Sequence, residues 1–101
     1  MLPLKVLARD NAAVSSTAVG LTIPASITTK LILTRVQAQG QGQALRVTYD
    51  GTAPVPASNI GEILWNGDVV ELMGVDIASK FLAIRETAND ARMEYTFLGT
   101  G

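Results

Sequence analysis

The sequence predicts an all-β protein, a single antiparallel β-sandwich of about seven or eight short strands, jelly-roll-like or immunoglobulin-like. Apolar and polar residues alternate with a period of two in several short segments, which is the pattern of half-buried strands. Turn-forming residues separate these segments at short intervals. Together the two observations favour a sandwich over a helical or α/β fold.

The chain divides into an N-terminal arm or edge strand, residues 1–17, and a β-sandwich domain, residues 18–101. At the start of the arm, apolar residues alternate as in a short strand, and residues 10–17 are small and polar, like a linker. An ordinary first strand of the sheet is an equally good interpretation, since chain termini are often held in this way.

In the first half of the domain we expect strands at residues 19–23, 31–38 and 43–49. The second and third of these should form a hairpin through a polar loop that contains Gly40 and Gly42. The alternation in the 31–38 strand places three apolar side chains on one face, namely Ile32, Val36 and Ala38. The opposite face takes Leu33, Arg35 and Gln37.

Two turns of different character follow. The first, residues 50–56, is long and stiffened by prolines. The second, Asn66-Gly67, predicts a type I′ hairpin between a strand that ends at Trp65 and a strand that contains Val70 and Leu72. Type I′ geometry requires positive φ at both turn positions, which Asn and Gly tolerate.

The last third of the chain predicts one helical turn and one more hairpin. Residues 75–80 fit the helical turn, and strands at 81–86 and 92–98 should pair through residues 87–91. The final strand should place Met93, Tyr95 and Phe97 on its buried face.

Composition limits the classes of function. The chain has 101 residues, enough for one domain with a modest core, and 48% of them are hydrophobic against 17% charged. Because few charges are available to cover the surface, we expect neighbouring molecules to occupy part of it. A well-packed soluble monomer with Ala- and Val-rich strands is the alternative interpretation. The net charge is −1 and no basic run exists, so no nucleic-acid partner is expected.

The residue types that most often catalyse reactions or bind metals are scarce in this chain. The chain has no histidine and no cysteine, no serine lies in a G-x-S-x-G context, and the carboxylates are scattered at turns and on polar strand faces. Calcium at Asp50 or Asp68 is an alternative, although Asp before or after Gly more often serves turn geometry. We therefore expect no enzyme activity, no catalytic or metal site and no cofactor. The N-terminus lacks the apolar region of a secretory signal and no segment reaches the length of a membrane span, so no membrane partner is expected.

Seven residues are candidates for a protein interface: Leu2, Leu4, Val6, Pro54, Val55, Pro56 and Trp65. The first three form an apolar stripe on the arm. The proline-flanked Val55 could present an apolar ridge at low entropic cost, and a loop folded back over the open end of the sandwich is an equally good interpretation. Trp65 is included as a contact residue, but burial in the core is the favoured interpretation for a large aromatic in a small domain.

Three motifs carry a resemblance to a known family. A strand ends in Asp50-Gly51-Thr52-Ala53-Pro54, an Asn66-Gly67-Asp68 turn follows, and a late strand reads Phe81-Leu82-Ala83-Ile84-Arg85 before a closing alternating strand. Over residues 20–98 the chain resembles small all-β accessory virion proteins of tailed bacteriophages. It departs from that pattern at Val55-Pro56, where a hydroxyl residue is expected after the proline, and residues 1–17 match nothing in it.

The resemblance implies a non-enzymatic structural protein of a bacteriophage particle, a capsid decoration or cement protein that stabilises the head. Its partners would be the major capsid protein or other virion proteins and further copies of itself, and its location the virion, assembled in the host bacterial cytoplasm. A tail, neck or fibre-attachment protein is the near alternative. A carbohydrate-binding β-sandwich module is a further alternative, although the chain has only five aromatic residues from which to build a sugar-stacking surface.

Overall fold

The computed structural model describes residues 4–39 and 44–100. Within these ranges the chain forms seven strands, one α-helix and two single-turn 3-10 helices at Ala25–Ile27 and Pro56–Ser58. The strands, in chain order, are β1 (Lys5–Val14), β2 (Leu31–Ala38), β3 (Leu45–Thr48), β4 (Glu62–Leu64), β5 (Val69–Met73), β6 (Leu82–Arg85) and β7 (Ala91–Gly99). Helix α1 (Gly74–Lys80) lies between β5 and β6 and includes the helical turn predicted at 75–80. None of the helices in the described ranges has the length and hydrophobicity that a membrane span requires.

The strands form two antiparallel sheets. One sheet has four strands in the order β1-β7-β2-β5, and the other has three in the order β4-β3-β6. The prediction of a mostly β, antiparallel chain is therefore confirmed. Side chains from both sheets enter one hydrophobic core, in which Phe81, Phe97 and Tyr95 are the largest members. Every second residue of β7 from Ala91 to Gly99 is buried, as the alternation of this strand predicts.

The three hairpins predicted from the sequence are wrong. In each predicted pair, β2 with β3, β4 with β5 and β6 with β7, the two strands belong to different sheets. Alternation shows which face of a strand is buried, but it does not show which strand lies beside it. Even the four residues between β4 and β5 can span about 13 Å, which exceeds the separation of about 10 Å between packed sheets. The polar loop predicted around Gly40 and Gly42 lies outside the described residues.

The Asn66-Gly67 turn is not type I′. Gly67 has a φ of +94°, whereas the only non-glycine residue with positive φ in the described ranges is Asn59. The Asp68 amide donates to the Trp65 carbonyl at 2.9 Å, so the four residues form a closed turn with positive φ only at its third position, as in type II. Such turns splay the flanking strands. The Gly67 amide donates a hydrogen bond to the carbonyl of Ala38 at the end of β2, and this contact directs β5 into the four-stranded sheet.

Two further expectations for the first third of the chain need correction. Residues 19–23 do not form a strand: Val19 exchanges two backbone hydrogen bonds with Ala83, at 2.9 and 2.8 Å, and the pairing stops there. Pro24 cannot donate to a ladder, which shortens any strand in this segment. Residues 10–14, expected as part of a linker, continue β1, and the last of them, Val14, is fully buried.

A β-bulge changes the predicted faces of β2. The register of β2 against β7 shifts between Leu31 and Leu33, so the intervening Ile32 is exposed instead of joining Val36 and Ala38 in the core. Leu31 takes a buried position in its place.

Candidate interaction surfaces

An apolar row crosses the outer face of the four-stranded sheet. In the register of the sheet, Val6 is opposite Leu98, Leu98 is opposite Leu33, and Leu33 is opposite Met73. Directly opposed residues point to the same face, so these four side chains form one line across β1, β7, β2 and β5. The two ends of this apolar row are the most exposed, with Val6 at 60% and Met73 at 61%.

Charged side chains follow the apolar row on the same face. Arg9 lies 3.8 Å from Glu94, and Arg35 lies 3.9 Å from Glu71, measured from Nε to the nearest carboxylate oxygen. All four side chains are substantially exposed, so the pairs stabilise the fold little. The face thus combines one apolar row with a balanced set of positive and negative groups.

Two of the three predicted arm residues, Leu4 and Val6, lie at one edge of this face. Leu2 lies outside the described residues. Leu4 is exposed and directly precedes β1, and Val6 is the first member of the apolar row. Strand β1 is the edge of the sheet and pairs with β7 from Lys5 to Val14.

The proline loop, residues 50–61, folds back on the three-stranded sheet. Pro54 is buried. A Cβ added at Gly61 would lie only 3.3 Å from the Cβ of Pro54, so the two residues pack closely. Val55 and Ile60 exchange two backbone hydrogen bonds, at 3.0 and 3.1 Å, and both side chains are exposed. Pro56 begins the 3-10 helix between them and is half-buried. Of the predicted ridge residues, Val55 is therefore on the surface and Pro54 is part of the packing.

Arg46 connects three segments beneath this loop. Its guanidinium donates to the Glu86 carboxylate from Nε at 2.7 Å and from Nη2 at 2.8 Å, and Nη1 donates to the Gly61 carbonyl at 3.0 Å. The same ion pair lowers the pKa of Glu86 through the hydrogen bond from Arg46. Since Gly61 ends the proline loop and Glu86 follows β6, this one side chain fixes the loop to the sheet.

An open depression of about 340 Å³ lies beside the proline loop. Its lining includes Tyr49, Asp50, Thr52, Ile60 and Glu62. The Tyr49 hydroxyl donates to Oε2 of Glu62 at 3.3 Å, and burial, with the negative charge of Glu62, raises the pKa of Tyr49 to about 12. The Asp50 carboxylate accepts a hydrogen bond from the Thr52 amide at 3.0 Å, which lowers its pKa.

Trp65 is exposed, so the favoured interpretation of this residue as a core anchor is wrong. Its side chain is 62% exposed, and Leu64 takes the buried position at the end of β4. The Trp65 backbone amide donates to the Asp68 carboxylate at 3.0 Å. Asp68 and Asp50 thus accept hydrogen bonds from backbone amides in their own turns. In the described residues, no group of three or more acidic side chains is placed to hold a metal ion.

The sequence did not reveal several of these features. Met73 and Leu98 join Val6 only through strand order, and Ile60 meets Val55 only because the loop closes on itself. The Arg46–Glu86 pair links residues 40 positions apart. A charged residue at a strand position flanked by apolar residues was the available signal for Arg46.

Comparison of the chain with known protein families, with curated proteins and with solved structures finds no match.

Proposed function

We propose that this chain is a non-enzymatic structural protein of a tailed-bacteriophage particle, a decoration or cement protein that binds the capsid and stabilises the head. The observation that carries the proposal is the apolar row, Val6, Leu98, Leu33 and Met73, on the outer face of the four-stranded sheet. An apolar row with a charged border is the composition of a protein-binding patch. The resemblance of residues 20–98 to small virion proteins supplies the type of partner.

The strand order supports a jelly-roll sandwich. In a jelly roll, eight strands alternate between two sheets in the orders 1-8-3-6 and 2-7-4-5. If Val19 is counted as a second strand reduced to one bridge with Ala83, the seven strands here follow the same orders. Among the described strands, only β3 and β4, the fourth and fifth strands of that scheme, are then consecutive strands within one sheet. Viral capsid proteins are among the users of this architecture.

A repeating lattice is the partner to which such a surface is suited. Each buried apolar Å² contributes about 25 cal/mol, and one short row gives a modest affinity on its own. Self-association of neighbouring copies on the lattice would add to it through effective concentration. The proposed partners are therefore the major capsid protein and further copies of this chain. If this chain were instead a tail or neck protein, the same surface would bind the repeating subunits of the tail or neck.

A carbohydrate-binding module is the second candidate, and the exposure of Trp65 favours it. A single exposed indole can stack on a sugar ring. The other four aromatic residues are buried or half-buried, so a second ring for a stacking platform is missing at this position.

The test is particle occupancy. Purified protein is mixed with capsids from the phage that carries the gene, prepared without this protein, and the bound fraction is measured by sedimentation. Val6→Asp and Met73→Asp, at the two ends of the apolar row, should each reduce occupancy at least tenfold. Both positions are exposed, so neither substitution should change the free energy of unfolding by more than about 0.5 kcal/mol.

Val55→Asp is the matched control, since Val55 is an exposed apolar residue of the proline loop, which packs on the three-stranded sheet. It should bind capsids as the unmodified protein does. If Val55→Asp loses binding and Met73→Asp retains it, the proline loop is the contact surface. If the unmodified protein binds no capsid, tail or neck component but binds glycans through Trp65, the particle role is wrong.

A further inference from the structure

We infer that the depression beside the proline loop is a docking site for an arginine side chain of a partner protein. Eight residues line it, and they include two carboxylates, Asp50 and Glu62, and no basic side chain. Ile60 and the ring of Tyr49 supply apolar surface in the same depression. The two carboxylates favour a cation, and the apolar surface beside them favours a cation that has a planar or aliphatic part.

Arginine fits this combination better than other groups. Its planar guanidinium can stack on an aromatic ring and donate two parallel hydrogen bonds to one carboxylate. Its aliphatic stem can lie against apolar side chains such as Ile60. The volume of about 340 Å³ is at the lower end for small-molecule pockets, which suits one side chain instead of a cofactor.

In the described part of the chain, the nearby cations Arg46 and Lys80 do not fill the depression. Arg46 lies on the adjacent strand, but its guanidinium is engaged with Glu86 and the Gly61 carbonyl. Lys80 acts electrostatically on Asp50 without lining the depression. Glu62 is held by the Tyr49 hydroxyl, which leaves further acceptor capacity on its carboxylate.

The walls of the depression are fixed before any partner arrives. The paired backbone hydrogen bonds between Val55 and Ile60 close the loop, and the Arg46 bond to the Gly61 carbonyl attaches it to β3. A preformed site loses little conformational entropy on binding, so its charge complementarity is retained as affinity.

The test is a titration of ¹⁵N-labelled protein with N-acetyl-arginine methylamide, followed by amide chemical shifts. Shifts should be saturable, centred on residues 47–52 and 60–62, with a dissociation constant of about 1–10 mM, as expected for one charge-assisted contact. The citrulline analogue, which is nearly isosteric and uncharged, should bind at least tenfold more weakly. Glu62→Gln should weaken arginine binding roughly fivefold to tenfold, and Asp50→Asn should weaken it to a smaller extent.

Glu71→Gln is the matched control, because Glu71 is an exposed strand carboxylate on the opposite sheet, outside the depression. It should bind the arginine probe unchanged. Equal binding of citrulline, equal loss in Glu62→Gln and Glu71→Gln, shifts spread over all acidic residues, or no saturable shift up to about 50 mM would each overturn the inference. The experiment uses no capsid, so its failure leaves the proposed particle role standing, and the reverse also holds.

Discussion

Arg46 and Glu86 form a two-point ion pair whose side chains are only 7% and 19% exposed. The guanidinium that makes this pair also donates to the Gly61 carbonyl, so the strand β3, the proline loop and the segment after β6 meet at one residue. Buried ion pairs often add little net stability, but removal of one partner leaves an uncompensated charge. We therefore expect the main contribution of the pair to be that it holds the proline loop in position.

Glu86→Gln should lower the free energy of unfolding, and the effect should depend on pH. The hydrogen bond from Arg46 lowers the pKa of Glu86 from its ordinary value of 4.5. A carboxylate with a lowered pKa in the folded state stabilises the fold above its unfolded pKa, and this contribution is lost as the pH falls through the folded pKa. The difference between the two proteins, measured by urea unfolding, should be largest above about pH 5 and should shrink below about pH 4.

Asp90→Asn is the control for this comparison. Asp90 pairs with Arg85 at 2.6 Å, but its side chain is 61% exposed, so its loss should cost much less at neutral pH. A Glu86→Gln protein that is as stable as Asp90→Asn at pH 7 would contradict the role assigned to the Arg46 pair.

Thr34→Val should stabilise the protein. Thr34 is fully buried in β2, and its Oγ1 has no hydrogen-bond partner in the described structure. Replacing the hydroxyl by a methyl group removes the cost of an unsatisfied polar atom, with an expected gain of about 1 kcal/mol in the free energy of unfolding. Thermal and urea unfolding measure it.

Thr48→Val provides the opposite case within the other sheet. The Thr48 hydroxyl donates to the Thr52 carbonyl, so this substitution should destabilise by about 1 kcal/mol. Destabilisation by Thr34→Val would mean that its hydroxyl has a partner after all.

Gly61→Ala should be among the most damaging single-methyl additions. Gly61 has a φ of +111°, and a Cβ there would lie 2.8 Å from the Val47 carbonyl oxygen and 2.9 Å from Arg46 Cγ. Strain and overpacking together should cost about 3 kcal/mol. Gly67→Ala, at a φ of +94° with open space around it, should cost only about 1 kcal/mol. Equal midpoints in urea for the two variants would show that the proline loop is not packed against β3.

Deletion of residues 1–17 should abolish cooperative unfolding. Strand β1 pairs with β7 along its length, Val14 is fully buried, and the Ser15 carbonyl accepts a hydrogen bond from the Arg85 amide. Removal of β1 would leave β7, the strand that carries Tyr95 and Phe97, as an unpaired edge of the sheet. Deletion of residues 1–4, which precede the strand, should leave the thermal transition intact. If the longer deletion unfolds cooperatively near the normal temperature, residues 1–17 act as an arm that serves assembly.

The sequence alone determined most of the strands, with residues 10–14 and 19–23 as the exceptions, and it determined the buried face of the final strand. The 31–38 strand has the predicted bounds, and Met93, Tyr95 and Phe97 are in the core, because alternation is a local consequence of the two-residue period of a strand. Local chemistry also specified the helical turn after β5 and the proline loop between β3 and β4.

Only the tertiary structure decided which strands are neighbours, because short connections can cross between two sheets as easily as they return within one. This choice separated β3, β4 and β6 from their predicted partners β2, β5 and β7. It also brought Val6, Leu98, Leu33 and Met73 into one row from positions as far apart as 6 and 98. The candidate surface exists only in that strand order, since no two of these four residues are close in the sequence.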